Sequence, residues 1–463
     1  MRTRSWLPAL VAPLSIALWT PDAQAIPAFA RQLGVDCNTC HYQRFPVLNA
    51  FGRAFKESGF TMIGAEDKLE SPTGMLSLPA NLNAAIELYS TYVKTNGPTG
   101  TAANETNTSK TTNSGDWQIP ASSSVFFGGR VGEHIGFEAE LNIYPTPAGL
   151  LNVKLPFVYD VGPVKTGGVL FGTSVYGPSF GLEVMNTGAN AVHLFNQQNL
   201  PLLSAQQYLN TGTPARGLDL IASNEYFFAV AGKWGADDNN APPTNTGNLN
   251  SSYLRVAGFP RLIPNIDWGI GAQLWAGRSN STGNVPGTVM NSPSAFILNP
   301  VATPGTPQPQ PGQFDTKAWA VDTQFMGKLY DDLPFIVIAS YALAPSSGAP
   351  SGVPEGFQGN LYNPGTASRK SFNIGMEQTI IPNLVTAQVA ARWAHSGFAL
   401  GSTDNATDNA WMLAATYSFA LNVRAELSYS KYSGDLYNGL SQQIQGPGYL
   451  GDSTWNLTLV AAF

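Results

Sequence analysis

The chain closes on Trp455-Asn456-Leu457-Thr458-Leu459-Val460-Ala461-Ala462-Phe463. Trp455, Leu457, Leu459, Ala461 and Phe463 are apolar, while Asn456 and Thr458 between them are polar. That period of two puts one series on each face of a strand. The same alternation recurs upstream. Ile135, Phe137, Ala139, Leu141 and Ile143 interleave with His134, Glu138, Glu140 and Asn142; Trp411, Leu413, Ala415, Tyr417 and Phe419 interleave with Met412, Thr416 and Ser418. Val423, Ala425, Leu427 and Tyr429 do the same with Arg424, Glu426 and Ser428. Similar runs lie near residues 83–93, 122–131, 151–160, 167–176, 180–186, 217–222, 225–234, 252–259, 266–276, 317–329, 334–343, 370–380 and 384–395. In such strands one series suits lipid and the other a polar interior.

Composition narrows the setting. Only 12% of the 463 residues are charged, against about 25% in soluble domains, so a soluble enzyme with a charged surface is excluded. No uninterrupted apolar run reaches the roughly 18 residues that a spanning helix needs. A mainly β, transmembrane antiparallel β-barrel remains, since its alternating strands average to a mean hydropathy near zero, here −0.07. Residues 79–463 divided by about 24 residues per strand and loop predict about 16 strands. Polar stretches at 95–116, 235–250, 277–315, 345–368, 398–407 and 433–452, rich in Asn, Thr, Ser, Gly and Pro, are the expected extracellular loops. A soluble β-sandwich is the competing fold, and it would not require so many aromatics near strand ends.

Residues 1–25 carry Arg2 and Arg4, a short apolar stretch and a closing Ala23-Gln24-Ala25, the pattern of a removed secretory signal peptide. Arg2, Arg4 and Asp22 would leave with it, taking the formal charge from −6 to −7. A weakly acidic chain without a basic block gives no support for nucleic-acid binding.

Both cysteines lie in Cys37-Asn38-Thr39-Cys40-His41. C-x-x-C followed by His is the attachment pattern of a c-type haem; a redox-active disulfide is the other reading. Two thioethers from Cys37 and Cys40 can clamp the macrocycle while His41 supplies the proximal axial ligand to the haem iron. Around the motif, 28–33 predicts a short helix stopped by Gly34. Pro46 is expected to open a second helix, with Val47, Leu48, Phe51, Ala54 and Phe55 on one apolar face and Gly59 as its stop. A unit this small lies near the limit of independent folding, so haem must supply much of its core. Met62 is the first candidate for the distal ligand and Met75 the next, with His134, His193, His395 or an open site as further options. No Walker loop, dinucleotide fingerprint, serine elbow or zinc cluster is present.

Pro27-Ala28-Phe29-Ala30-Arg31-Gln32, then Cys37 to His41, then Pro46-Val47-Leu48-Asn49-Ala50-Phe51-Gly52-Arg53-Ala54-Phe55-Lys56, followed by a barrel ending on an aromatic, resembles the fused monohaem cytochrome-porins of iron-oxidising bacteria. The resemblance is specific in residues 26–62. It implies a signal peptide at 1–25, a monohaem c-type cytochrome segment at 26–78 and an outer-membrane porin barrel at 79–463. It implies an Fe(II)-oxidising oxidoreductase of the iron:cytochrome c reductase type. Its partners would be extracellular Fe(II), outer-membrane lipid and a periplasmic carrier such as a c-type cytochrome or blue-copper protein. One haem is far smaller than the ~30 Å hydrocarbon core, so a place inside the lumen would let it exchange electrons with an external donor. A transport porin in which the haem segment is a plug or redox gate is the alternative.

Overall fold

The computed structural model describes residues 28–64, 67–72, 77–80, 83–96, 115–144, 149–189, 203–236, 249–281, 312–329, 333–347, 357–363, 365–400, 402–437 and 451–463. The expected signal peptide, Met75 and His193 lie outside them.

Period-two alternation becomes strand wherever it was expected, with one exception. After a hairpin of β1 (Lys68–Glu70) and β2 (Ser77–Pro79) come β3 (Ala84–Thr95), β4 (Asp116–Gly132), β5 (Ile135–Tyr144), β6 (Gly149–Val161) and β7 (Val164–Thr173). There follow β8 (Ala215–Asn224), β9 (Phe227–Ala236), β10 (Ser251–Gly258), β11 (Ile266–Ala276), β12 (Arg278–Ser281), β13 (Gly312–Asp315), β14 (Ala318–Leu329) and β15 (Leu333–Ala344). The series ends with β16 (Phe357–Asn360), β17 (Arg369–Ile381), β18 (Val385–His395), β19 (Asn409–Ala420), β20 (Val423–Ser433) and β21 (Ser453–Ala462). Sixteen of these, β3–β11, β14, β15 and β17–β21, form one closed antiparallel barrel in which the first strand pairs with the last. Closure satisfies every strand edge, which a strand in lipid requires. β12, β13 and β16 form a separate small sheet among the long connections.

Exposure follows the alternation. On β21, Trp455 and Leu459 face outward while Asn456 and Thr458 are buried in the lumen. Leu220, Leu254, Ile270, Val389 and Leu413 continue the apolar exterior. Rings gather at the ends of the strands next to the long connections. Trp411 and Trp455 both contact Tyr429, with centroids 5.5 and 4.8 Å apart, Trp319 meets Tyr341 at 5.4 Å, and Trp393 meets Phe372 at 5.9 Å. Tyr159, Phe419 and Phe463 are exposed near the opposite end. Aromatics at both rims are the interfacial girdles of a membrane barrel, and short turns mark its periplasmic end.

The exception is 180–186, expected as a strand. Phe180, Leu182 and Val184 do alternate, but the segment belongs to the long connection between β7 and β8, whose described residues are mostly buried inside the barrel. Arg255 holds it from the wall, at 2.9 Å from Glu183 of the connection and 2.9 Å from Asp322 of β14. Further along, Ser204 caps the short helix α4 (Ala205–Tyr208; α1 to α3 are the N-terminal helices below), and Gln206 donates to Asp322 at 2.9 Å.

Candidate functional site

Three short helices precede the barrel: α1 (Ala28–Leu33), α2 (Cys37–Cys40) and α3 (Ala50–Glu57). Gly34, at φ 67°, ends α1 as expected. Asp36 caps α2 through the Thr39 amide, and this turn sets the two cysteines on one short coil with His41 immediately after it. The second helix does not begin at Pro46. Its N-cap is Asn49, whose side-chain oxygen accepts from the Gly52 amide at 2.9 Å and whose amide donates to the Asn38 and Thr39 carbonyls at 3.2 and 2.9 Å. Asn49 therefore caps α3 and clamps it to α2 at once. A Cβ on Gly52 would lie 2.2 Å from the Cys40 carbonyl oxygen, so only glycine permits this approach. The helix stops as expected near Gly59 (φ 68°), where a Cβ would meet Val158 at 2.9 Å.

The expected apolar face of α3 needs correction. Phe55 and Val47 are buried, but Phe51 is exposed, and the inward face also carries Arg53 and Glu57. The reason is the neighbour: this helix packs into a polar lumen. Arg53 lies 2.7 Å from Asp267 of β11 and stacks 4.4 Å from the Phe259 ring.

Wall contacts seat the whole segment at the short-turn end. Asn38 reaches Asn383 at 3.3 Å, Gln43 donates to the Pro334 carbonyl at 2.6 Å, Tyr42 donates to the Gly327 carbonyl, and Arg130 donates to the Thr61 carbonyl at 3.0 Å. Arg44 is buried between Glu377 at 2.7 Å and Glu426 at 3.4 Å. The inward connection meets the segment from the other side, with the Leu48 amide donating to Asn186 at 3.0 Å and Val47 sharing an apolar cluster with Leu203. Residues 28–64 thus plug the periplasmic half of the lumen.

The plug holds four of the expected cofactor residues, Cys37, Cys40, His41 and Met62. Cys37 and Cys40 are free, half-buried thiols. Burial and the nearby Asp36 carboxylate push Cys37 up, and burial, Cys37 and Asp36 do the same for Cys40. His41 Nδ1 is buried without a hydrogen-bond partner. Burial lowers the ring's pKa to about 4, against the opposing backbone of Val47 and Pro46, so the imidazole is neutral as a metal ligand must be. Met62 and Cys40 pack on the same cluster of Leu33, Phe55 and Phe60.

Gln32 was missed by pattern reading. Its buried amide donates to the carbonyls of Phe60 and Met62, each at 2.7 Å, and so fixes the segment that carries Met62. A polar residue on a six-residue helix gives no signal of this in sequence. His134 sits in the turn between β4 and β5, 4.4 Å from the Tyr159 ring, and His395 lies at the far end beside the Asn405 carbonyl. Among the described residues, no group of three or more His, Cys, Asp or Glu is arranged to hold a metal ion.

No family model and no curated protein matches the chain. Among solved structures, OmpT of Vibrio cholerae matches at 10% identity and TM-score 0.45, covering 86% of this chain and 100% of its own. The channel DcaP of Acinetobacter baumannii matches at 11% and 0.47, covering 85% of this chain and 99% of its own. Salmonella typhi OmpF matches at 12% and 0.46, covering 85% of this chain and 100% of its own. With sixteen strands closed on themselves, an apolar exterior and two aromatic rims, the chain is an outer-membrane β-barrel of porin-like fold.

Proposed function

We propose that this barrel is an electron conduit of the outer membrane, in which a c-type haem held in the plug serves the oxidation of extracellular Fe(II). The observation that carries the reading is the seating of the Cys37–His41 motif inside the lumen, behind the buried Arg44–Glu377–Glu426 cluster. The donor set fits the group: two free thiols in one turn, a buried neutral imidazole with an unpartnered Nδ1, and a thioether on the same apolar cluster as Cys40. Cys37 and Cys40 would bind the macrocycle, His41 would be the proximal ligand and Met62 the distal one. Haem bound there would supply a one-electron acceptor and donor between the two faces of the membrane.

The protein's own residues then have separable tasks. Gln32 positions the Met62 segment, Phe29, Phe55 and Phe60 keep water from the site, and the wall contacts hold the plug still. Fe(II) loses one electron outside and remains there as Fe(III); the electron leaves toward a periplasmic carrier such as a c-type cytochrome or blue-copper protein. Purified protein with covalent haem should be reduced by Fe(II) and reoxidised by such a carrier. Absence of reduction by Fe(II) at acidic and neutral pH would sink the reading.

A second reading is favoured by the barrel itself: a transport porin in which the haem segment is a plug or redox gate. Planar-bilayer conductance separates the two. Steady ohmic current through the intact chain, changing with haem oxidation state, would select the gate.

A further inference from the structure

A buried positive charge lies in the outer half of the lumen, remote from the plug. Arg369 opens β17 just after a long connection and is only 3% exposed. Among the described residues it has no carboxylate partner, and its Nε has no hydrogen-bond partner. Its guanidinium lies 4.7 Å from the centre of the Tyr208 ring, and Arg392 of β18 lies 4.5 Å from the same ring. Arg392 does have a counterion, Asp408 at 2.6 Å. Two guanidinium groups therefore share one carboxylate in a fully buried place.

Removing a charge from water without a partner is strongly unfavourable. Water could satisfy the spare donors but not the charge. Ser371 and Asn373 follow Arg369 on the inward face of β17, each 1% exposed. Ser371 Oγ and Asn373 Nδ2 also lack hydrogen-bond partners, and Asn373 stands directly beside Arg392 in the strand register. Of the unmatched groups on β17, Ser371 Oγ and Asn373 Nδ2 can donate and lie on the same inward face as Arg369, while the unmatched oxygens of Glu377 and Gln378 lie farther along the strand. A tetrahedral oxyanion offers acceptors in several directions and suits the guanidinium fork.

We propose that Arg369, Ser371 and Asn373, with Arg392 and Tyr208 behind them, bind a small inorganic oxyanion of the sulfate or phosphate class. Binding to the folded state alone raises the unfolding midpoint with ligand concentration. The test is thermal unfolding of the full chain in detergent micelles, titrated with millimolar sulfate against chloride at constant ionic strength, with phosphate as a second probe. The wild-type midpoint should rise saturably with sulfate or phosphate and stay level with chloride. Arg369→Met should lose that response, with an anion-free midpoint equal to or above wild type because the unpaired charge is gone. Ser371→Ala keeps the charge and should weaken the half-saturating concentration about tenfold. No saturable response in wild type, or an equal response in wild type and Arg369→Met, overturns the proposal; if Arg369→Met fails to fold, unchanged binding by Ser371→Ala does so.

Discussion

On the proposed haem reading, His41 and Gln32 do different work. His41→Ala should abolish the low-spin haem spectrum, while Cys37→Ala or Cys40→Ala should cut covalent haem content, read by haem staining of denatured protein. A His41→Ala variant with a wild-type spectrum would remove that residue from the site. Among common axial pairs, Met with His gives a higher potential than two His, so Met62→His should lower the midpoint potential at unchanged haem content. Gln32→Leu should act on the same reading indirectly. It removes two hydrogen bonds that hold the Met62 segment, with about 1–3 kcal/mol lost for each carbonyl left unsatisfied. The sulfur-to-iron absorption band should weaken and the potential should spread or fall, as potentiometric titration would record. Unchanged values in Gln32→Leu alongside a shifted Met62→His would show that the clamp does not position the ligand.

At the scale of elements, α3 shows how surroundings override pattern. Helical spacing groups Phe51 with Phe55, but the lumen wall offers Asp267 and other polar partners, so Arg53 turns inward and Phe51 outward. Burial also raises the Glu57 carboxyl to about 8, against the partly offsetting charges of Arg53 and Lys165. A raised folded-state pKa gives a contribution that is fully present below the unfolded value, about 4.5, and is lost as pH climbs toward 8. Glu57 therefore favours the docked plug in acid. Glu57→Gln should flatten the decline in plug protection between those limits, measured as resistance of residues 28–64 to protease across pH. Taking the difference from wild type isolates Glu57 from His41, whose lowered pKa acts in the opposite sense. Parallel profiles would rule Glu57 out as the cause.

For the whole molecule, the question is what passes through the lumen. Plug and inward connection touch each other and both touch the wall, through Leu48–Asn186, Arg44–Glu377 and Arg255–Glu183. An electron conduit with this filling should carry little ionic current in planar bilayers. Arg44→Met leaves Glu377 buried without its partner, a cost of about 3–5 kcal/mol, and should produce intermittent large openings as the plug leaves its seat. Closed traces indistinguishable from wild type would mean that the remaining contacts suffice.

Much of the barrel was legible because period two is a local property: each outward Leu or Trp and inward Asn or Thr on β21 is set by its own pleat, and lipid outside demands that pattern of any spanning strand. The Cys37–His41 spacing is likewise local, and the structure sets both cysteines on one short helix with His41 directly after it. What tertiary structure decided was where nonlocal segments go. Phe180, Leu182 and Val184 alternate like a strand, yet they lie inside the barrel because Arg255 and Asp322, far along the chain, provide their anchor. The inward turn of Arg53 and the Gln32 clamp likewise depend on partners 28 to 214 residues away. Local chemistry determines which residues can form strands. Only closure of the barrel creates the polar interior that selects which segments fill it.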